Sequence, residues 1–442
     1  MPKIEDADAT TDPAARSWIG VAGDSDFPIQ NLPYGIFARA DDVATIGVAI
    51  GDRILDLCAV AAAGLLDDAV PEARVVFAEP TLNGFIACGR PTWRAARERI
   101  FALLGVGNRE LHDAEILDYA LVAADEIEMR LPVAVGDYVD FYSSLNHATN
   151  AGRIFRPNAE PLFPNWRRLP VGYHGRSGSV VVSGTPIVRP SGQKKIDGAD
   201  EPAFGPTEML DFELEIGFIT GDANGLGATL PVVRARDAIF GVVLLNDWSA
   251  RDIQAWESQP LGPFLGKSFA TSISPWVVTL DALAPFRVAG PPQMPPPSPY
   301  LAVAEPRGYS IDLTVELQSK MMRAAGIVAQ TLARTNAREL YWSIDQQLAH
   351  LASNGSTVRA GDLCGSGTIS GATPDSFGSL LELTWRGTRP LTLGDSEPRA
   401  FLTDGDVVMM RGWCEGPSGD VLRIGFGEVR GTVVRAPEQR SE

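Results

Sequence analysis

From Asp211 to Ile216 the sequence reads Asp-Phe-Glu-Leu-Glu-Ile, a strict alternation of carboxylates with apolar side chains. Period two belongs to a β-strand, whose successive side chains leave opposite faces. Asp211, Glu213 and Glu215 are therefore expected on one face, and Phe212, Leu214 and Ile216 on the other. Neighbours two apart on a strand lie ~7 Å from one another. At an effective dielectric of ~20, two charges at that separation repel by roughly 2 kcal/mol. Open water tolerates this, but an enclosed site requires a proton or a cation to neutralise the charges. Any fold built on this segment must give its acidic face either solvent or a cation.

The remaining chain is rich in strand and turn signals. Its 442 residues include 44 glycines and 33 prolines, and 45% are hydrophobic, enough for a large core. Residues 1–20, rich in Asp, Ala and Thr, read as a flexible tail. Residues 21–125 are expected to form a small N-terminal domain. There, strand-like runs at 45–50 and 53–57 flank the hairpin signal Gly51-Asp52. An amphipathic helix is expected over 91–104, with Trp93, Ala96, Ile100 and Leu103 on one face. Residues 126–442 read as the larger, mainly β domain. Strands are expected near 127–131, 179–183, 210–220, 241–245, 276–279, 311–317 and 380–385. A helix is expected over 337–353, from the capping-box spacing of Asn336 and Glu339 and the stripe Leu340, Ile344, Leu348, Leu351. The proline-rich stretch 285–306 reads as a surface loop.

A net charge of −17 argues against nucleic acid and against anionic membrane surfaces as partners. Cys58, Cys88, Cys364 and Cys414 form no C-x-x-C pair and read as small packing residues. The first thirteen residues are polar and lack the apolar centre of a signal peptide. No apolar run approaches the ~18 residues of a membrane helix. A cytoplasmic protein is the expectation.

Two local motifs fail on spacing. Gly262-Pro-Phe-Leu-Gly266-Lys267-Ser268 has too few residues between its glycines for a phosphate loop, and Pro263 lacks an N–H to offer a phosphate. Gly175-Arg-Ser177-Gly-Ser179 lacks the last glycine of a nucleophile elbow. Four polar clusters remain: 137–142 leading to His147, 211–215, Asn246-Asp247-Trp248-Ser249-Ala250-Arg251-Asp252-Ile253-Gln254, and Glu382 between two leucines. Each has an ordinary structural reading as turn, cap or solvated strand face. Taken together, carboxylates of this kind suit a hard cation, Ca²⁺ or Mg²⁺. A histidine with a separate carboxylate suits a base that activates water. Arg, Gln and Lys nearby suit an oxyanion. The combination points to metal-assisted hydrolysis of a carbonyl compound without a covalent nucleophile.

These clusters, with 26–35, 136–144, 147–150, 169–176, 260–269, 366–371 and 423–427, make the chain resemble the fumarylacetoacetate hydrolase family from about Asp24 onward. The resemblance implies an N-terminal SH3-like barrel followed by a C-terminal mixed β-roll, mainly β with some helix, assembled as a homodimer. It implies hydrolysis of the carbon–carbon bond of 4-fumarylacetoacetate to fumarate and acetoacetate, which ends tyrosine and phenylalanine catabolism. By the same resemblance the metal ligands fall on Asp140, Glu213, Glu215 and Asp247, with Ca²⁺ or Mg²⁺ as the ion. A second Mg²⁺ would involve Asp247, Lys267 and Thr271. The base falls on His147, its orienting carboxylate on Glu382, and the oxyanion donors on Arg251, Gln254 and Lys267. Substrate contacts fall on Tyr142, Arg156, Tyr173, Gln254 and Thr368. One position departs: Ser258 stands where the family usually has a substrate-contacting tyrosine. The alternatives are a hydrolase of another β-diketone or acylpyruvate, or a 2-oxo acid decarboxylase, on the same fold.

Overall fold

The computed structural model describes residues 8–39, 43–195, 200–416 and 423–438. Its centre is the strand Ile239–Asp247, nine residues all buried. Such a run needs apolar cover on both faces, and it has it. Ile239, Val242 and Leu244 enter one hydrophobic core, while Phe240, Val243 and Leu245 enter a second. The first core is shared with the five-stranded sheet of Gln330–Asn336, Asp312–Gln318, Val407–Glu415, Arg423–Val434 and Ile187–Val188. The second is shared with the N-terminal part of the chain.

That N-terminal part is a five-stranded antiparallel sheet. Thr45–Ile50 and Arg53–Asp56 form the expected hairpin about Gly51, whose φ of 59° suits glycine. Ile127–Arg130 closes the sheet's edge by pairing with Tyr34–Arg39. The helix Arg90–Leu104 covers the sheet with Trp93, Ala96, Ile100 and Leu103 buried, as its periodicity predicts. The expected flexible tail is tied down from residue 8; residues before it lie outside the described part. The buried Arg97 donates to Thr10 Oγ1 at 2.9 Å and to the carbonyls of Asn31 and Gln30 at 2.6 and 2.5 Å. Trp18 Nε1 donates to the Leu103 carbonyl.

The strand Ile239–Asp247 belongs to an eight-stranded mixed sheet. Leu214–Thr220 runs antiparallel to it, Leu363–Gly365 pairs with Leu214–Thr220, and Tyr138–Phe141 lies parallel to Leu363–Gly365. Thr271–Ile273 flanks the other side. The molecule is mainly β, with helices interspersed among the strands.

Three expected elements differ. The segment 210–220 is two strands: Leu210–Asp211 pairs with Ser249–Ala250, and the chain changes partner before Leu214–Thr220. The expected strand at 380–385 is a helix, Leu380–Leu383, started by Ser379 Oγ accepting from Glu382 N. The expected helix over 337–353 is a short turn, Ala337–Glu339, and a separate helix, Ile344–Leu351, whose capping box is Ser343 with Gln346. The break follows from a tertiary contact, since Leu340 bridges to Ser144 and Tyr341 N donates to the Ser143 carbonyl, which draws 340–341 out of any helix.

Candidate active site

The alternating carboxylates face neither solvent nor one another unaided. Asp211, Glu213 and Glu215 are all buried, as are Asp140 and Asp247. Asp140 comes from Tyr138–Phe141, Glu215 from Leu214–Thr220, and Asp247 ends the central strand. One carboxylate oxygen from each of Asp140, Glu215 and Asp247 lies within 4.8 Å of the other two. Between the strands of Asp140 and Glu215 runs Leu363–Gly365, and its last residue is bare. A Cβ on Gly365 would lie 3.0 Å from Tyr138 Oη, 3.1 Å from Glu215 Oε2 and 3.2 Å from Asp140 Oδ1, filling the space between them.

The cage is short of positive charge. Asp140 Oδ1 and Glu215 Oε1 are buried without a hydrogen-bond partner among the described residues. Burial, reinforced by Asp247 and only partly offset by Arg176 and Lys267, pushes the Asp140 carboxyl up to about 7. Burial likewise pushes Glu215 well above the usual carboxylate range, with Asp140, Glu213 and Asp247 adding to it. Orphaned buried oxygens on hard ligands, around a glycine-lined gap, fit a hard divalent cation.

Glu213 is satisfied differently. Its Oε1 pairs with Arg251 at 2.8 Å, and its Oε2 accepts from Lys267 Nζ. Burial opposes its charge, but Lys267 and Arg251 outweigh that and hold its carboxyl below the usual range. Lys267 also reaches Asp247 Oδ2 at 2.5 Å, and Thr271 Oγ1 donates to Asp247 Oδ1 at 2.9 Å.

His147 sits on the helix Leu145–Phe155, started by Ser144. Its Nδ1 lies 2.6 Å from Glu382 Oε2. Asn150 Nδ2, Ser370 Oγ and Ser379 Oγ donate to the same carboxylate at 2.9, 2.8 and 3.0 Å. A carboxylate so held accepts the Nδ1 proton and leaves Nε2 as the basic nitrogen. Tyr142 meets the imidazole edge to face, 5.4 Å between ring centroids.

The other residues singled out lie around this centre, with one at its margin. Arg251 Nε bonds Asp211 Oδ2 at 2.8 Å and its Nη1 bonds Gln254 Oε1 at 3.1 Å. Arg251 Nη2 and Thr368 Oγ1 are buried and carry no hydrogen-bond partner among the described residues. Tyr173 Oη donates to Asp140 Oδ2 at 3.0 Å. Arg156, at the margin, ends the His147 helix; it donates to the Pro161 carbonyl and lies over the Phe163 ring. The Ser258 hydroxyl turns back onto the Gln254 carbonyl.

Sequence reasoning left out several contributors. Asp211 anchors Arg251 and accepts the N–H groups of Leu380 and Leu381, fixing the Glu382 helix. Asn150, Ser370 and Ser379 complete the shell around Glu382. Arg176 bridges Asp140 and Asp247. Asn150, Ser370 and Arg176 all fall inside segments that carried the family resemblance, which was the available signal.

Residues 30–132 match the family model for the fumarylacetoacetase N-terminal domain, and residues 138–434 that for the fumarylacetoacetate hydrolase C-terminal domain. The chain is 50% identical over 422 residues to the fumarylacetoacetase of Homo sapiens, covering 95% of this chain and 99% of that protein. It is 48% identical over 424 residues to the fumarylacetoacetase of Arabidopsis thaliana, covering 96% and 99%. A crystal structure of a proposed HpcE protein from Mycobacterium smegmatis, 18% identical, superposes with a TM-score of 0.51 over 91% of this chain and 99% of that one, a likeness of fold alone. With both family models matched in order and half of the residues shared along nearly the whole length, the chain belongs to the fumarylacetoacetase family.

Proposed function

We propose that the chain is a hydrolase that cleaves 4-fumarylacetoacetate to fumarate and acetoacetate, the closing step of tyrosine and phenylalanine breakdown. The observation that carries this reading is the buried His147–Glu382 pair, 2.6 Å apart, beside a carboxylate cage with orphaned oxygens. Curated fumarylacetoacetases at about half identity support the substrate.

Asp140, Glu215 and Asp247 would hold a calcium or magnesium ion, with Glu213 as the fourth carboxylate. A bound divalent ion would polarise the diketone oxygens and favour one planar conformer. His147 Nε2 takes a proton from water, and Glu382 stabilises the imidazolium that results. The hydroxide attacks the fumaroyl carbonyl, the ketone conjugated to the double bond. Arg251 Nη2, Gln254 and Lys267 donate to the alkoxide that forms. Its collapse breaks the carbon–carbon bond and expels the acetoacetate enolate, whose carbon takes the proton back from His147. Arg156, Tyr142, Tyr173 and Thr368 suit the substrate's carboxylates and polar oxygens. A second Mg²⁺ would take Asp247, Thr271 and the carbonyl of Lys267, because the lysine ammonium has no lone pair to offer.

A homodimer belongs to the same proposal. The exposed apolar residues Leu261, Phe264 and Leu265 beside the Gln254 helix support an interface. Among the described residues no helix is long and apolar enough to cross a membrane, which accords with a cytoplasmic location.

Purified protein with Mg²⁺ or Ca²⁺ is expected to bleach the near-ultraviolet absorbance of fumarylacetoacetate as its conjugation is cut. Ser258 favours a second reading, another β-diketone or an acylpyruvate, because a serine whose hydroxyl is tied to the Gln254 carbonyl supplies neither the bulk nor the hydroxyl reach of a tyrosine. Turnover of an acylpyruvate with no loss of fumarylacetoacetate would replace the first reading by the second.

A further inference from the structure

Arg176 occupies a position that nothing in the hydrolytic scheme requires. It follows Gly175 on the loop after Gly172–His174, and its own backbone is left-handed, φ 66° and ψ 21°. L-residues other than Asn and Asp visit that region sparingly, and such backbones persist where the surroundings hold them. Here the side chain does the holding. Arg176 Nη2 donates to Asp140 Oδ2 at 2.8 Å and to Asp247 Oδ2 at 2.9 Å. The guanidinium lies between two phenol rings, 4.6 Å from the centroid of Tyr138 and 4.7 Å from that of Tyr173. Its side chain is 4% exposed. It takes one oxygen from each of two carboxylates and leaves Asp140 Oδ1, like Glu215 Oε1, without a partner.

The charges then count in a simple way. Fully ionised, as a cage that holds a cation must be, Asp140, Glu213, Glu215 and Asp247 bring four negative charges, and Lys267 and Arg176 bring two positive ones. Arg251 is matched by its own partner, Asp211. Before any second ion on the Thr271 side is counted, the cage is left two positive charges short, which one divalent ion supplies. Without Arg176 the shortfall would be three. A guanidinium suits this task because it does not lose its proton at any working pH, so the count is fixed.

We propose that Arg176 is a resident counter-charge that sets the cage to divalent rather than trivalent cations, while positioning the carboxylates of Asp140 and Asp247. This rests on the reading of Asp140, Glu215 and Asp247 as a metal site.

The test uses the full chain stripped of metal, titrated with Ca²⁺ by calorimetry and with Tb³⁺ by luminescence sensitised through the adjacent tyrosines. Wild type is expected to bind both ions. In R176Q the ratio of Tb³⁺ to Ca²⁺ affinity is expected to rise by at least about tenfold, because the added unit of negative charge attracts the trivalent ion more. R176K keeps the charge and is expected to keep the wild-type ratio. R176Q/E213Q restores the count and is expected to return the ratio to wild type; it also carries the test if R176Q alone does not fold. An R176Q ratio equal to wild type, or a double variant that prefers Tb³⁺ as strongly as the charge-deficient cage should, overturns the role of Arg176. Wild-type protein that binds neither ion overturns the metal-site reading beneath it.

Discussion

Glu382 shows how one buried carboxylate is kept charged. Burial works to raise its pKa, but the nearby His147 and the hydrogen bonds from His147, Asn150 and Ser370 outweigh it, and the net shift is downward. Unfolded, the group titrates near ~4.3. Its folded value is lower, so its contribution to stability is complete above the unfolded value and is lost as pH falls through the folded one. E382Q keeps the shape and removes the charge. Its stability deficit against wild type, read by urea unfolding between pH 3 and 6, is expected to be flat at the upper end and to shrink toward the lower end. Turnover is expected to fall by roughly 10²–10⁴, the range for a misoriented or unsupported base. A variant within a few-fold of wild-type kcat would show that Glu382 does not serve the base. Residue types were legible in the sequence here, and so were His147 and Glu382 as a candidate pair. The role of Asp211 was not. Strand period tells which side a carboxylate leaves, but not that Arg251 and a helix N-terminus wait on that side.

At the scale of elements, Gly152 lets the His147 helix, which Arg156 ends, lie against the loop at Pro161. In an ordinary exposed helix, Gly→Ala stabilises by about 1 kcal/mol. Here an added Cβ would fall 2.0 Å from the Pro161 carbonyl oxygen and 2.6 Å from its carbon, both backbone atoms that cannot rotate away. The loop must move, and Arg156 with it, because Arg156 Nη2 donates to that same carbonyl at 2.7 Å. G152A is therefore expected to destabilise by about 1–3 kcal/mol, as overpacking does. It should also raise KM for the anionic substrate more than it lowers kcat. Thermal melting and steady-state kinetics check both, and a more stable variant with an unchanged KM would remove the link. Elements with a long, clean period were readable in advance, such as Arg90–Leu104 and the hairpin about Gly51. The short ones were not. Leu380–Leu383 has too few residues for period two and period 3.6 to differ, and Ser379 decides it by capping. The stripe through 340–351 looked continuous, yet a long-range bond from Tyr341 N to Ser143 interrupts it.

At the scale of the molecule, the site is assembled by topology. Asp140, Glu215 and Asp247 come from strands far apart in the chain, and Gly365 sits between two of them because Leu363–Gly365 pairs with one neighbour parallel and the other antiparallel. No periodicity encodes that sheet order. Only the resemblance of ordered motifs brought the clusters together before the fold did. The assembly leaves buried, underneutralised carboxylates in the interior, so a cation that binds the folded cage and not the unfolded chain must stabilise the whole. At a free ion concentration about one hundred times the dissociation constant the gain is ~2.7 kcal/mol. For a chain of this length that corresponds to a rise of a few degrees in Tm. Chelated protein is expected to melt correspondingly lower, and Ca²⁺ or Mg²⁺ to restore the Tm in a saturable way. G365A supplies the control, because its Cβ would stand in the space between Asp140 and Glu215. Its Tm is expected to respond little to either ion. A variant whose Tm rises with Ca²⁺ as steeply as wild type would place the bound ion somewhere other than this cage.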